Sequence, residues 1–382
     1  MKHIGNLCIS VVLLLMASCA ETRDFHGAVI DFKETEAAGK QELKEFKTLN
    51  LEQTEKSVIG TVQKIHITDS ILLISDERAL FAFDANDGRY LHTFGQRGNG
   101  EMEYLNLNTF FVDNKHHVNI VDDVKGRVLT FDINGSFLHS AKWGNDLLRW
   151  IQNAEMLNGG DLFCSRYIWN DQNRVYNVIR KDGTTSFSMN TPLRTSNTAE
   201  RVGVHPFSMY DGKTRFVMPL SPYIYLLDSN KPTAVIEVSS GAELISEDEV
   251  KDIKDFNVMT GADLISKGRF QGFTDIFETS GHILLGFHDL YYYLFDKRTH
   301  KGKTIQTQAT ENLSYAPLYR IMGTHGDWLI GVLSGSDFLD AGQKSRFTLG
   351  PKAKDSGKRF TETVSKLNAH DNPTLLFYKL KP

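Results

Sequence analysis

Ten side chains suited to molecular recognition are spread along the sequence: Arg97, Tyr104, Arg127, Trp150, Trp169, His205, Tyr223, Arg269, His288 and Tyr291. Aromatic faces and guanidinium forks are what a pocket for sugars, peptides or anions uses. The same residue types also pack sheets together, so their placement decides between the two roles. None belongs to a compact catalytic signature. There is no Gly-x-Ser-x-Gly elbow, no His-Glu-x-x-His pair and no Gly-x-x-x-x-Gly-Lys loop. Asp84-Ala85-Asn86-Asp87-Gly88 has the outline of a calcium loop, but Gly95 stands at the twelfth position, where an acidic ligand is needed. It reads as a hairpin turn. The thirteen histidines are dispersed. Only His116 and His117 are adjacent, and neighbours in a strand point to opposite faces, so they do not readily share a metal. His66, His92 and His139 fall at ordinary strand positions. No catalytic residue, metal ligand or cofactor is expected, with calcium the one ion left open.

Cys19 offers a different chemistry. Leu15-Met16-Ala17-Ser18-Cys19-Ala20 follows a short basic start, Lys2 and His3, and an apolar run from Leu7 to Met16. That run is about half the roughly 20 residues needed to span a bilayer. It reads as a secretory signal with small residues before a cysteine, the pattern of a bacterial lipoprotein. Residues 1–18 are expected to be removed and Cys19 to carry lipid. Each buried methylene contributes about 0.8 kcal/mol, so several acyl chains attach the protein almost permanently. The expected location is the cell envelope, on the outer membrane, facing the periplasm or the surface. Residues 19–40 are polar, with little periodicity, and read as a tether. Cys8 leaves with the signal, which leaves Cys164 alone and no internal disulfide. A lone thiol in such a compartment is expected to be buried and inert.

The mature chain is compositionally ordinary: 41% hydrophobic and 24% charged residues suit a globular body. A net charge of −4 argues against a nucleic-acid partner, which would call for a basic surface.

The elements that must position the ten residues are read from an internal repeat. Leu80-Phe81-Ala82-Phe83-Asp84 runs into a turn and then Arg89 to Phe94. Val128-Leu129-Thr130-Phe131-Asp132 does the same, 48 residues after the first copy. Further copies surround Arg180, Asp228 and Asp296. Each alternates apolar and polar residues, with Asn, Asp or Gly where a hairpin must turn through positive φ. Another strand precedes each hairpin (Ile71 to Ser75, Val118 to Asp122, Asp161 to Ser165, Arg215 to Met218, Ile283 to Phe287), and an earlier one precedes some of those. A period in the forties with four strands per unit predicts an all-β, six-bladed β-propeller. Trp328 to Leu333 and Thr374 to Leu380 supply the sixth blade, and Gln41 to Leu49 adds its missing strand, closing the ring without a bare edge. The propeller domain is therefore 41–382. The channel-lining strands are taken as the apolar segments around Ile71, Val118, Leu162, Phe216 and Leu284.

Two stretches break the period. Residues 243–270 open with a capping box, Ser246 and Glu249, and a staple, Ile245 and Val250, and predict a helical insertion between blades 4 and 5. Residues 335–372 form a second insertion, with a short helix expected around Phe360 to Leu367. In a propeller, links between blades and the turns from second to third strand share one end of the channel. The ten residues fall there, with Arg78, Trp143, Arg149, Tyr167, Tyr315 and Arg320 beside them.

Three passages carry a family resemblance. Gly98-Asn99-Gly100-Glu101-Met102-Glu103-Tyr104 is similar to a Gly-x-Gly-Pro-Gly-Glu-aromatic link between blades, with Glu101 in place of the Pro and Met102 in place of the next Gly. The repeated Phe-Asp-x-x-Gly hairpin and Asp371-Asn372-Pro373-Thr374-Leu375 are the others. The chain resembles the TolB-like or NHL-like six-bladed propeller lipoproteins of Gram-negative anaerobes. That resemblance implies a fold and an envelope location, and none of its motifs is catalytic. Two functions compete. The first is a non-catalytic binding or scaffolding lipoprotein holding a protein, peptide or glycan at the channel mouth. The second is a metal-dependent hydrolase or lyase of the lactonase type, which needs several carboxylates, amides or imidazoles converging on the axis.

Overall fold

The computed structural model describes residues 28–30, 35–143, 148–170, 174–190, 195–200, 205–228, 231–240, 243–251, 267–287, 291–307, 311–337, 344 and 346–381. Six four-stranded antiparallel sheets form a propeller. The inner strands, in blade order, are Lys64–Thr68, Thr109–Val112, Ile151–Met156, Phe207–Tyr210, Asp275–Glu278 and Ile321–His325. The sixth blade is completed by Leu43–Asn50, which pairs antiparallel with Thr374–Leu380 and so joins the two ends of the domain. The clasp is reinforced by Asn372. Its buried amide accepts from the Ile59 N–H at 2.8 Å and donates to the Glu52 and Ser57 carbonyls at 3.0 and 2.6 Å.

The channel-lining strands differ from the sequence expectation. Ile71–Ser75, Val118–Asp122, Leu162–Arg166, Lys213–Val217 and His282–Gly286 are second strands, not inner ones. The reason lies in the packing. Buried apolar side chains form six clusters, one in each seam between neighbouring blades. A second strand faces a seam on each side: Val118 and Ile120 pack toward blade 1 and Val121 toward blade 3. Burial on both faces produces a continuous apolar run. The true inner strands carry Lys64, His66, Asn153, Glu155 and Ser208.

Part of the expected tether is structured. Ala28–Ile30 adds a parallel strand outside blade 4, and Thr35–Glu36 another outside blade 5. Backbone groups on those outer edges would otherwise be unpaired. Cys19 and the signal lie outside the described residues.

The insertions fall where the period breaks. The Glu247–Lys251 helix begins on the expected capping box: the Glu249 carboxylate accepts from the Ser246 N–H at 2.8 Å, and Ser246 Oγ accepts from the Glu249 N–H at 3.3 Å. Ile245 and Val250 are both buried beside it. Most of the remaining insertion lies outside the described residues. In the second insertion the helix is Asp355–Lys366, starting five residues before the sequence expectation. Gly357 hides its first turn from a propensity reading. A Cβ there would stand 3.2 Å from the Ser314 carbonyl, so close packing favours glycine over a better helix former.

Candidate functional site

Antiparallel topology puts all inner-strand starts and all second-to-third-strand connections on one face, here called upper, and the short hairpin turns on the lower. Every long link and both insertions are upper. Between the faces runs a polar channel of about 250 Å³, walled by inner strands of the blades. Inner strands expose an unpaired backbone edge, and Lys64 satisfies part of it. Its Nζ donates at 2.8 Å to the Phe110 and Ala154 carbonyls and pairs with Glu155 at the same distance. One side chain on blade 1 thereby ties blades 2 and 3 to it.

The channel widens at the upper mouth into a cavity of about 350 Å³ between blades 5, 6 and 1. His205, Phe277 and Met322 line both spaces and form the neck. Asp275, the first residue of its inner strand, accepts from the His205 N–H at 2.6 Å and from Thr274 Oγ1 at 2.7 Å. Gly286 lets it approach: a Cβ there would sit 2.9 Å from Asp275 Oδ2. Arg320, also in the wall, donates from Nη1 to both carboxylate oxygens of Asp337 in the second insertion, each at 3.0 Å. Its backbone is left-handed, φ 37°. Tyr291 lies half-buried at the rim, its ring stacked on Phe287 at 6.0 Å. The mouth thus presents a carboxylate, a guanidinium, an aromatic face and an imidazole.

The ten residues read from the sequence divide. His205 and Tyr291 line the mouth. Arg97 is exposed on the upper face. Trp150 immediately precedes an inner strand, with φ 65° and the Arg149 guanidinium 5.5 Å from its ring centroid. Tyr223 packs edge-on against Tyr225 at 6.1 Å. Three are engaged internally. Tyr104 is buried, donates to the Arg78 carbonyl at 3.1 Å, and has its hydroxyl pKa pushed up to about 12 by burial. Arg127 donates to the Gly100 and Glu103 carbonyls and lies 3.9 Å from Asp122. Arg269 is clamped between Glu243 and Glu249, tying the helical insertion to its own exit strand. His288 and the Trp169 side chain lie outside the described residues. Asp275, Asp337, Lys64 and Glu155 were missed. A correct choice of inner strands would have flagged three of them, while Asp337 is visible only once the second insertion folds over the mouth.

The resemblance-bearing link has a physical basis. The Glu103 carboxylate accepts from the Gly100 N–H at 2.7 Å and lies against Gly98, where a Cβ would come within 2.2 Å of it. The motif therefore builds a turn.

Cys164 is buried, and burial pushes its thiol up to about 11. Burial likewise pushes Tyr319 up to about 12, with the Asp337 charge adding to the effect. Both groups stay protonated at neutral pH. Among the described residues no three His, Cys, Asp or Glu side chains are grouped to hold a metal ion. Among the described residues no helix is long and apolar enough to cross a membrane.

A family model described as a domain of unknown function (DUF4934) matches residues 29–379. Among solved structures, a Bacteroides fragilis protein provisionally described as exported is similar, with a TM-score of 0.70 and 19% identity over 93% of this chain and 100% of that one. A DUF4221 family member from Bacteroides vulgatus aligns with a TM-score of 0.49 and 7% identity over 90% of this chain and 98% of its own. No protein with a curated description matches the sequence.

Proposed function

The chain belongs to the DUF4934 family, and on that premise we propose that it is an envelope protein that binds an extended polar chain, a glycan or a peptide, at the upper channel mouth without transforming it. The observation that carries this reading is the mouth itself: a cavity of about 350 Å³ where Arg320 is held in a left-handed backbone conformation beside Asp275 and Tyr291. A bulky residue at positive φ is disfavoured, and such strain concentrates where a side chain must be aimed. Aromatic faces stack on sugar rings or peptide side chains, while the guanidinium and carboxylate supply direction. The charged groups of the shaft are engaged with one another, Lys64 with Glu155 at 2.8 Å, which suits holding better than proton transfer.

The signal pattern and the provisional description of the B. fragilis neighbour support an extracytoplasmic location, with Cys19 as the lipid-bearing residue. The TolB-like or NHL-like link motif is consistent with this class. Incorporation of a labelled fatty acid, abolished by Cys19→Ala, tests the anchor. For the mouth, the purified chain is screened on glycan and peptide arrays. Saturable binding lost in both Arg320→Ala and Tyr291→Ala, with thermal unfolding little changed, supports the reading. Ligands bound equally by both variants, or turned over in the bound state, overturn it.

A further inference from the structure

A second site lies on the outer flank of blade 6, far from the mouth. A groove of about 670 Å³ runs between the edge strand Leu43–Asn50 and the start of the helix Asp355–Lys366. Its walls bring together Lys44, Lys354, Arg359 and Lys381, all exposed, while Lys47, which also lines it, holds its ammonium 4.7 Å from the Trp328 ring centroid. The acidic residues lining it are Glu45 and Asp355. Glu45 is engaged with Lys47 at 3.1 Å, and Lys381 is paired with Glu42 at 2.7 Å. Among the described residues no carboxylate lies within ion-pair distance of Lys44, Lys354 or Arg359. The concentration is notable because the whole chain carries a net charge of −4.

Like charges gathered in one concavity repel, so the arrangement needs a counter-charge. Lysines do blunt exposed edge strands. That accounts poorly for this groove, because the helix already covers the edge: Arg359 Nη1 donates to the Phe46 carbonyl at 3.4 Å. Moreover, Lys354, Arg359 and Lys381 are not on the edge strand. The ammonium groups act as point charges of the kind that bind phosphate oxygens, and the Arg359 guanidinium fork matches a phosphate as well. The surface is concave, so it fits a phosphate group carried on a free chain better than a flat bilayer. We infer that this groove binds a soluble, phosphate-bearing polyanion.

The test is titration of the full chain, in a neutral detergent, with inorganic tripolyphosphate at low salt. The triple variant Lys44→Glu, Lys354→Glu, Arg359→Glu is compared with a control reversing Lys115, Lys181 and Lys213 on the lower face. Removing three phosphate contacts is expected to weaken binding by about tenfold or more and to flatten its salt dependence, whereas the control changes little. Should charge reversal compromise folding, Lys354→Gln with Arg359→Gln gives the same reading at smaller amplitude. Equal losses in both charge-reversed variants, or no saturable binding at low salt, overturn the inference. A parallel arm uses vesicles of phosphatidylglycerol and phosphatidylcholine. Vesicle binding that depends on these residues while tripolyphosphate is ignored overturns it in favour of a membrane surface. Arg320→Ala is expected to leave tripolyphosphate binding intact, which separates this groove from the mouth.

Discussion

The lower and upper faces of the propeller use the same unusual backbone conformation for different ends. On the lower face, left-handed residues sit inside tight turns: Asp69, His116, Asp211 and His300, at φ 50°, 62°, 51° and 53°. Asp, Asn and His tolerate that region, and hairpins of this twist require it. The neighbouring turns are tied to one another. Thr68 meets His116 at 3.1 Å, Asn114 reaches the Asn158 carbonyl at 3.2 Å, Asn158 reaches that of Gly212 at 3.0 Å, and the Ser280 N–H donates to Asp327 at 3.0 Å. On the upper face Asn312 is left-handed at φ 56°, and so are three bulky residues, Trp150, Leu220 and Arg320, at φ 65°, 59° and 37°. Trp150 and Arg320 each stand immediately before an inner strand. Regular turns thus close the ring below, while bulky left-handed residues collect above, one of which, Arg320, stands in the wall of the mouth. The difference separates what holds the propeller together from what it offers to a partner.

The largest effect should come from the lower half. Glu278 is fully buried and accepts from Arg215 Nη1 with both oxygens at 2.6 Å and from Lys297 Nζ at 2.7 Å. Glu278→Ala strands two cations in the seam of blades 4 and 5. Breaking a buried pair from one side costs about 3–5 kcal/mol, which chemical denaturation would register as a large drop in midpoint. If Arg320→Ala on the upper face cost as much, the two faces would be mechanically alike.

Acidification should come next. Burial holds His66, His92 and His282 below their ordinary value of 6.5. The unfolded imidazoles therefore take up protons before the folded ones do. Their contribution is complete above about pH 6.5 and is lost as pH falls below it toward the folded values. Carboxylates held low by turn hydrogen bonds, such as Asp84 and Asp182, lose their contribution only further down, below about pH 4. Thermal melts between pH 7 and pH 5 should fall, and the fall should shrink in His66→Gln, His92→Gln and His282→Gln combined. An unchanged slope would show that these three do not carry it.

Turn chemistry gives a smaller loss. Asp132 Oδ1 accepts from the Asn134 and Ser136 N–H groups at 3.0 and 2.8 Å. Asp132→Ala should cost about 1 kcal/mol because both donors fall back on water, read as a modest shift of the thermal midpoint.

The lower face was also the readable one. Asp, Asn and Gly mark hairpins by a local rule, so Asp84, Asp132 and Asp296 located their turns; on the upper face the equally local capping box of Ser246 and Glu249 located a helix start. Residues whose role depends on partners far along the chain were misjudged. Nothing local distinguishes Arg127, which meets the Glu103 carbonyl, from Arg97, which meets solvent. Strands buried on both faces looked like channel walls because apolar continuity reports burial and not radius. The outer strands Ala28–Ile30 and Thr35–Glu36 are too short to carry a period.

The finest distinction between the faces lies in one pair of substitutions at Arg320. Arg320→Ala removes the partly exposed pair with Asp337, a contribution of about 0–1 kcal/mol, but keeps a Cβ in the left-handed region. Arg320→Gly removes the same pair and also the steric penalty, about 1–2 kcal/mol for an L-residue there. Against that gain stands the added freedom of glycine in the unfolded chain, roughly 0.5–1 kcal/mol. The glycine variant should therefore be the more stable of the two by a few tenths to about 1 kcal/mol, with ligand binding at the mouth lost in both. A protein carrying ordinary loop geometry at this point would show the reverse order, alanine above glycine. In that case Arg320 is not strained into position, and the upper face loses the feature that sets it apart from the turns below.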